Sequence, residues 1–307
     1  MNNLLIYYGW LNAFNSAHNQ WNNEKVSLEL SRYNLLVLGN GLQDPNHGDY
    51  ANTEIIIARI QELNPNCKIF GYVSVNQSLE DFQSKVDDWE TLLVNGIFFD
   101  EAGYDFGTVL TNSREAVNTK VAYVHSQANA NLCFINAWRP SHIWGIDNDP
   151  SYLNSTYNPD ELESILTEDD WYLMESFAID SSGNYESASQ WSVRGDTVQE
   201  YSEWYGFKVA ACSVIADECQ LGQEKFNFIS ISAFMHNLDA IGSSDIYYGA
   251  SSAASKMWVR PDFSRILRDD EMINYCITQS GNDWIQYCDN GLMKVNFSTP
   301  SSDIICY

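Results

Sequence analysis

Eight short apolar runs, parted by stretches of helical or polar character, constrain this chain more than any other feature. They cover residues 4–10, 35–41, 68–75, 96–101, 131–138, 171–178, 207–215 and, less sharply, 240–244. Successive runs begin roughly 30–40 residues apart, the length of one strand–helix unit. They are apolar throughout instead of alternating, as strands are when both faces of a parallel sheet are covered. Between them, 54–63 carries Ile56, Ile57, Ile60 and Leu63 at helical spacing and stops at Asn64-Pro65. The stretch 78–94 opens on Ser78-Leu79-Glu80-Asp81, which resembles a capping box, and 111–128 and 187–204 are long enough for outer helices. Eight alternations favour a closed (β/α)8 TIM barrel, an α/β fold, over an open doubly wound sheet. The barrel is expected over 1–255, with a small C-terminal appendage over 256–307. In that appendage Asp289-Asn290-Gly291, between 285–288 and 292–297, signals a β-hairpin. The long connection 139–170, rich in Asn, Asp, Pro, Trp and Tyr, is expected to cover the working face.

The net charge is −25, from 41 acidic against 16 basic residues. Such a field repels phosphate backbones and anionic lipid, so no nucleic-acid partner is expected. It attracts a cationic polymer such as a partly deacetylated amino-sugar chain, although solubility or adaptation to high salt is the plainer account. No run approaches the ~20 apolar residues of a membrane span, so no membrane insertion is expected. The N-terminus shows no basic region, apolar run and small-residue cleavage site in succession. Cytoplasmic synthesis is therefore expected, with any virion-associated or extracellular location reached by a non-standard route. Seven cysteines, an odd number without a Cys-x-x-Cys pair, point to a reducing compartment. His18, His47, His125, His142 and His236 lack metal-ligand spacing, and no glycine-rich phosphate loop or Gly-x-Ser-x-Gly elbow occurs. No metal or cofactor is expected.

In a barrel, the carboxyl ends of the strands converge on one mouth. Those ends supply Tyr7, Tyr8 and Trp10 from the first run, Tyr72 and Asn76 from the third, and Asp100, Glu101 and Tyr104 from the fourth. The fifth gives Asn136 and Trp138, the sixth Glu175, and the eighth Asp245. Carboxylates among aromatic rings suit sugar cleavage: one carboxyl donates a proton to the leaving oxygen, while another supports the positive charge, attacks, or activates water. The rings offer faces to sugar CH groups. An Asp-Glu pair after a strand also serves simply to cap a helix, and strand-end aromatics also fill cores. Glu175 closes an apolar run, where a lone buried charge is costly unless it faces a polar pocket.

Three segments carry a family resemblance. The stretch 64–75 (NPNCKIFGYVSV) resembles strand three, 96–105 (GIFFDEAGYD) strand four and 173–177 (LMESF) strand six of one barrel group. This group comprises the spherulin-4-like proteins and endo-α-1,4-polygalactosaminidases, including glycoside hydrolase family 114. The resemblance covers roughly residues 1–250, and its Phe-Phe-Asp-Glu segment is the most specific part. It implies hydrolysis of α-1,4-linked galactosamine or N-acetylgalactosamine polymers, with Asp100, Glu101 and Glu175 as the acidic centre. Within that centre Glu101 is taken as general acid and Asp100 as the assisting carboxylate. The chain departs from the family in having Asn136-Ala137-Trp138 where Asn-Pro-Gly is common.

A second reading stands beside this one: a non-catalytic structural or glycan-binding barrel of a virion, tail or surface filament, self-assembling through the appendage. Turnover by a monomer separates the first reading from an inert, ordered polymer.

Overall fold

The structure, a computed structural model, describes residues 1–14, 22–39, 41–146, 154–215, 219–244, 261, 263 and 277–307. Eight parallel strands close on themselves: β1 (Asn2–Tyr7), β2 (Leu35–Leu38), β3 (Lys68–Ser74), β4 (Gly96–Asp100), β5 (Leu132–Asn136), β6 (Trp171–Glu175), β7 (Lys208–Val214) and β8 (Ala240–Ser244). Each pairs with its sequence neighbours, and β8 returns to β1 through Asn2 opposite Ala240. The (β/α)8 barrel read from the sequence is therefore the fold.

The helices fall between the strands: α1 (Asn23–Leu30), α2 (Tyr50–Leu63), α3 (Leu79–Thr91), α4 (Val109–Asn112), α5 (Arg114–His125), α6 (Ser141–Trp144), α7 (Asn154–Tyr157), α8 (Ala188–Tyr205) and α9 (Cys219–Met235). Their starts follow local chemistry. Ser78 Oγ accepts from Asp81 N to open α3, and Ser187 and Gln190 form a reciprocal capping box at α8. The segment expected as one helix over 111–128 is instead two, broken at Ser113, whose extended backbone caps α5.

Strand parity sorts side chains into two layers. Leu4, Ile6, Val37, Phe70, Phe98, Phe134 and Leu173 fill the barrel interior, with Phe134 5.2 Å from Phe70 and 5.3 Å from Phe98 between ring centroids. The residues between them, such as Leu5, Tyr7, Phe99, Ile135 and Met174, join the larger core under the helices. Close packing there requires glycine at two points. A Cβ on Gly71 would meet the Trp89 ring at 2.2 Å, and one on Gly195 the His236 ring at 2.4 Å.

The appendage is a four-stranded antiparallel sheet of β9 (Ile277–Ser280), β10 (Asp283–Cys288), β11 (Gly291–Asn296) and β12 (Ser301–Cys306), in the order β12-β11-β10-β9. The expected hairpin is β10–β11, with Cys288 opposite Gly291. Trp191 of α8 meets Trp284 at 5.5 Å and Phe297 at 5.0 Å, and Phe228 of α9 meets Phe297 at 5.0 Å. The sheet thus shares its core with α8 and α9. The expected division at 255/256 lies outside the described residues.

No described helix is long and apolar enough to cross a membrane. Cys67, Cys133, Cys212 and Cys288 are buried cysteines outside any disulfide, and Cys306 is an exposed one.

Candidate active site

Two residues beyond the inner apolar layer, the inward side chains change from apolar to polar. Ile6 gives way to Tyr8, Phe70 to Tyr72, Phe98 to Asp100, Phe134 to Asn136 and Leu173 to Glu175. These residues meet at the carboxyl ends of the strands, and a cavity of about 410 Å³ opens there, lined among others by Tyr8, Asp100, Glu101, Asn136, Glu175 and Cys212.

Hydrogen bonds tie the group together. Asp100 Oδ2 accepts from the Tyr72 hydroxyl at 2.7 Å, and its Oδ1 from Asn136 Nδ2 at 2.8 Å. Both of its oxygens are thus engaged as acceptors. The same Asn136 nitrogen reaches Glu175 Oε2 at 3.4 Å, so one amide bridges two carboxyl groups. Glu101 Oε2 accepts from the Ser74 hydroxyl at 2.8 Å.

Glu175 opens to solvent at the mouth, but protein crowds it on its other sides. That burial pushes its carboxyl above the ordinary glutamate range. The Asn136 hydrogen bond pulls it down, the Asp100 charge raises it, and the Arg194 charge lowers it, leaving a net upward shift. The Tyr8 hydroxyl is driven far up, by burial first and then by Asp100, so it stays a neutral donor. Its ring meets Tyr72 edge-on at 5.5 Å.

The strand ends carrying these carboxylates leave regular geometry at once. Glu101 has φ +58°, and after Glu175 both Ser176 (φ +54°) and Ala178 (φ +63°) are left-handed without being glycine. Such residues cost about 1–3 kcal/mol each and persist where surroundings over-determine them. Here side chains from later in the sequence hold the carbonyls. Asn112 Nδ2 donates to Glu101 O at 2.6 Å, and Arg194 donates to the carbonyls of Glu175 and Ser176. Two buried cations brace the neighbouring loops in the same way. Lys120 Nζ donates to the carbonyls of Val75, Gln77 and Thr111, and burial pulls it down to about 8. Arg114 donates to the carbonyls of Leu162, His142 and Gly145. None of these supports was singled out from the sequence.

Several sequence candidates lie elsewhere. Tyr7, 2% exposed, points out of the barrel into the helix-side core, packs on Phe14 and donates to Trp10 O; odd strand parity turns it away from the mouth. Tyr104, also 2% exposed, is stacked between His142 and Tyr157 behind the cavity. The Asn76 amide donates to Phe106 O and accepts from Thr111 Oγ1, so it ties two loops. Trp10, 45% exposed, lies beyond β1 against His47 and does not line the cavity. Trp138, 50% exposed, borders an adjoining cavity of about 260 Å³ and covers Arg194. Asp245 lies outside the described residues.

His125, Cys133 and Asp170 also approach one another, at the opposite end of the barrel. The Asp170 oxygens already accept from Cys133 N at 2.7 Å, Thr167 N at 2.7 Å and the His125 ring at 3.0 Å, which accounts for the group as a tie between β5, β6 and α5.

No family model and no curated protein matches the sequence. Solved structures match at the level of the barrel. An endoglucanase of Pseudomonas stutzeri is 11% identical, covering 78% of this chain and 84% of its own, with a TM-score of 0.49. A family 5 glycoside hydrolase of Prevotella bryantii is 8% identical, covering 82% and 90%, with a TM-score of 0.48. The Clostridium difficile protein CdNal, solved with mannosamine, is 11% identical, covering 79% and 69%, with a TM-score of 0.43. Likeness of this degree carries no functional argument, because barrels host many chemistries.

Proposed function

We propose that the protein is a glycoside hydrolase acting on polymers of α-1,4-linked galactosamine or N-acetylgalactosamine. The observation that carries the reading is the carboxylate pair bridged by one amide: Asn136 joins Asp100 to Glu175 in the floor of the mouth cavity. The pair is differentiated as acid and base chemistry requires. Glu175, whose carboxyl burial pushes upward, is the proton donor of this scheme, and Asp100, held in place by two donors, is the assisting carboxylate.

In this scheme Glu175 passes its proton to the glycosidic oxygen as the bond to the anomeric carbon breaks. The Asp100 carboxylate stabilises the positive charge that develops on the ring, and water then supplies hydroxyl to the anomeric carbon and a proton back to Glu175. Glu175 therefore takes the donor role that sequence analysis gave to Glu101. Glu101, tied by Ser74 on the cavity wall, adds negative charge near a cationic amino sugar. The choice of an amino-sugar polymer rests on the segment resemblances and on the net charge of −25.

The test is release of reducing ends from partly deacetylated poly-α-1,4-galactosamine by wild type, Glu175→Gln and Glu101→Gln. Release that vanishes in Glu175→Gln supports the scheme. Release lost only in Glu101→Gln returns the donor role to that residue. No release by wild type from any amino-sugar polymer leaves the non-catalytic, glycan-binding reading.

A further inference from the structure

Strand β6 delivers Glu175 to the mouth and is followed directly by the left-handed Ser176 and Ala178. A single guanidinium from α8 spans this turn. Arg194 Nη2 donates to Glu175 O, and Nη1 donates to Ser176 O at 2.8 Å while pairing with Glu186 Oε1. The other Glu186 oxygen accepts from Ala178 N at 2.8 Å, and Glu186 N donates to Ala178 O at 3.0 Å. The Trp138 ring, arriving from the end of β5, lies 4.9 Å from the guanidinium carbon.

We propose that Arg194 is a positioning residue for Glu175, oriented by Glu186 and Trp138, and that it fixes the direction in which Glu175 enters the mouth. This rests on Glu175 being the proton donor proposed above. The geometry suits arginine specifically: its planar fork serves two carbonyls and a carboxylate together while presenting a face to an indole, which a lysine ammonium cannot do. The β4 end repeats the logic with Asn112 on the Glu101 carbonyl. At β6 the anchor is also charged, and that charge opposes the upward push of burial on the Glu175 carboxyl.

The test compares wild type with Arg194→Gln, Arg194→Lys and Glu186→Gln, reading both turnover and the Glu175 titration by carboxyl-carbon NMR. Arg194→Gln is expected to lower kcat by about 10²-fold with little change in KM, as a misplaced catalytic group does. It should also move the Glu175 titration upward, carrying the alkaline limb of the pH–rate profile with it. Arg194→Lys keeps the charge but loses the fork, so the titration stays near wild type while kcat still falls. Glu186→Gln retains an acceptor for Ala178 N and breaks only the ion pair, so a fall in kcat with an unchanged melting temperature supports the device without asking the turn to refold. Wild-type kcat and titration in Arg194→Gln would overturn the proposal. The NMR readout needs no substrate: a wild type inert on every polymer with a shifted Glu175 titration in Arg194→Gln sinks the hydrolase reading and leaves the positioning intact.

Discussion

The Tyr72 hydroxyl donates to Asp100 Oδ2 at 2.7 Å across the β3–β4 pair, where Val73 and Ser74 stand opposite Phe99 and Asp100. The bond orients the carboxylate from one side while Asn136 orients it from the other. A tyrosine here acts through its hydroxyl as well as its ring. Tyr72→Phe keeps the ring and removes one of two charge-assisted bonds, each worth about 1.5–3 kcal/mol. Turnover on the polymer is expected to fall by about one to two orders of magnitude, with a fall of a few degrees in melting temperature from the same lost bond. Steady-state kinetics beside a thermal melt checks this, and wild-type kcat in the variant would remove Asp100 from the centre.

The pH profile follows from the Glu175 carboxyl, raised by burial. A general acid works only while protonated, so activity persists above the ordinary carboxylate range and is lost as pH rises through the raised value. Glu175→Gln abolishes this alkaline limb along with about 10²–10⁴-fold of the rate. An alkaline limb surviving in Glu175→Gln assigns it to another group.

Acid should destabilise the fold through two buried histidines. Burial drives His142 and His236 down to about 4, partly opposed by Asp105 and Asp196 respectively. A base depressed on folding contributes stability that is complete above its unfolded value and is lost as pH falls from about 6.5 toward about 4, at no more than about 1.4 kcal/mol per unit for each group. Urea midpoints at pH 7 and pH 5 read this directly, and equal midpoints would contradict it.

Gly195→Ala places a methyl 2.4 Å from the His236 ring, inside the contact through which α8 and its Trp191 pack on His236 beside Phe177. Overpacking of this kind costs about 1–3 kcal/mol. Thermal melts should show the loss, whereas an unaltered melting temperature would mean that the helix can move away.

The barrel was legible because its strands are short apolar runs at regular spacing, and each observed strand falls within one read from the sequence except at the first strand's start. The same uniformity hid parity. In 4–8 every residue is apolar or aromatic, so nothing local says that Tyr8 faces inward and Tyr7 outward. Asp100, Asn136 and Glu175 were legible because each is the first polar side chain after an apolar strand. Arg194 was not: it sits 19 residues beyond Glu175, on a helix whose inner face the sequence pattern marks weakly. Contacts of that kind are set by how a helix lies back on its strand, which composition and spacing do not encode.

The barrel strands all have partners on both sides, so that end of the molecule has no backbone left to share. Among the described residues, β9 and β12 flank their sheet with one side each unpaired within it. A strand added by a neighbouring molecule at one of these edges would lie at the tail, far in connectivity from the carboxylates. Charges or prolines placed along Ser301–Cys306 would block such an addition at β12 without touching any residue that lines the mouth cavity.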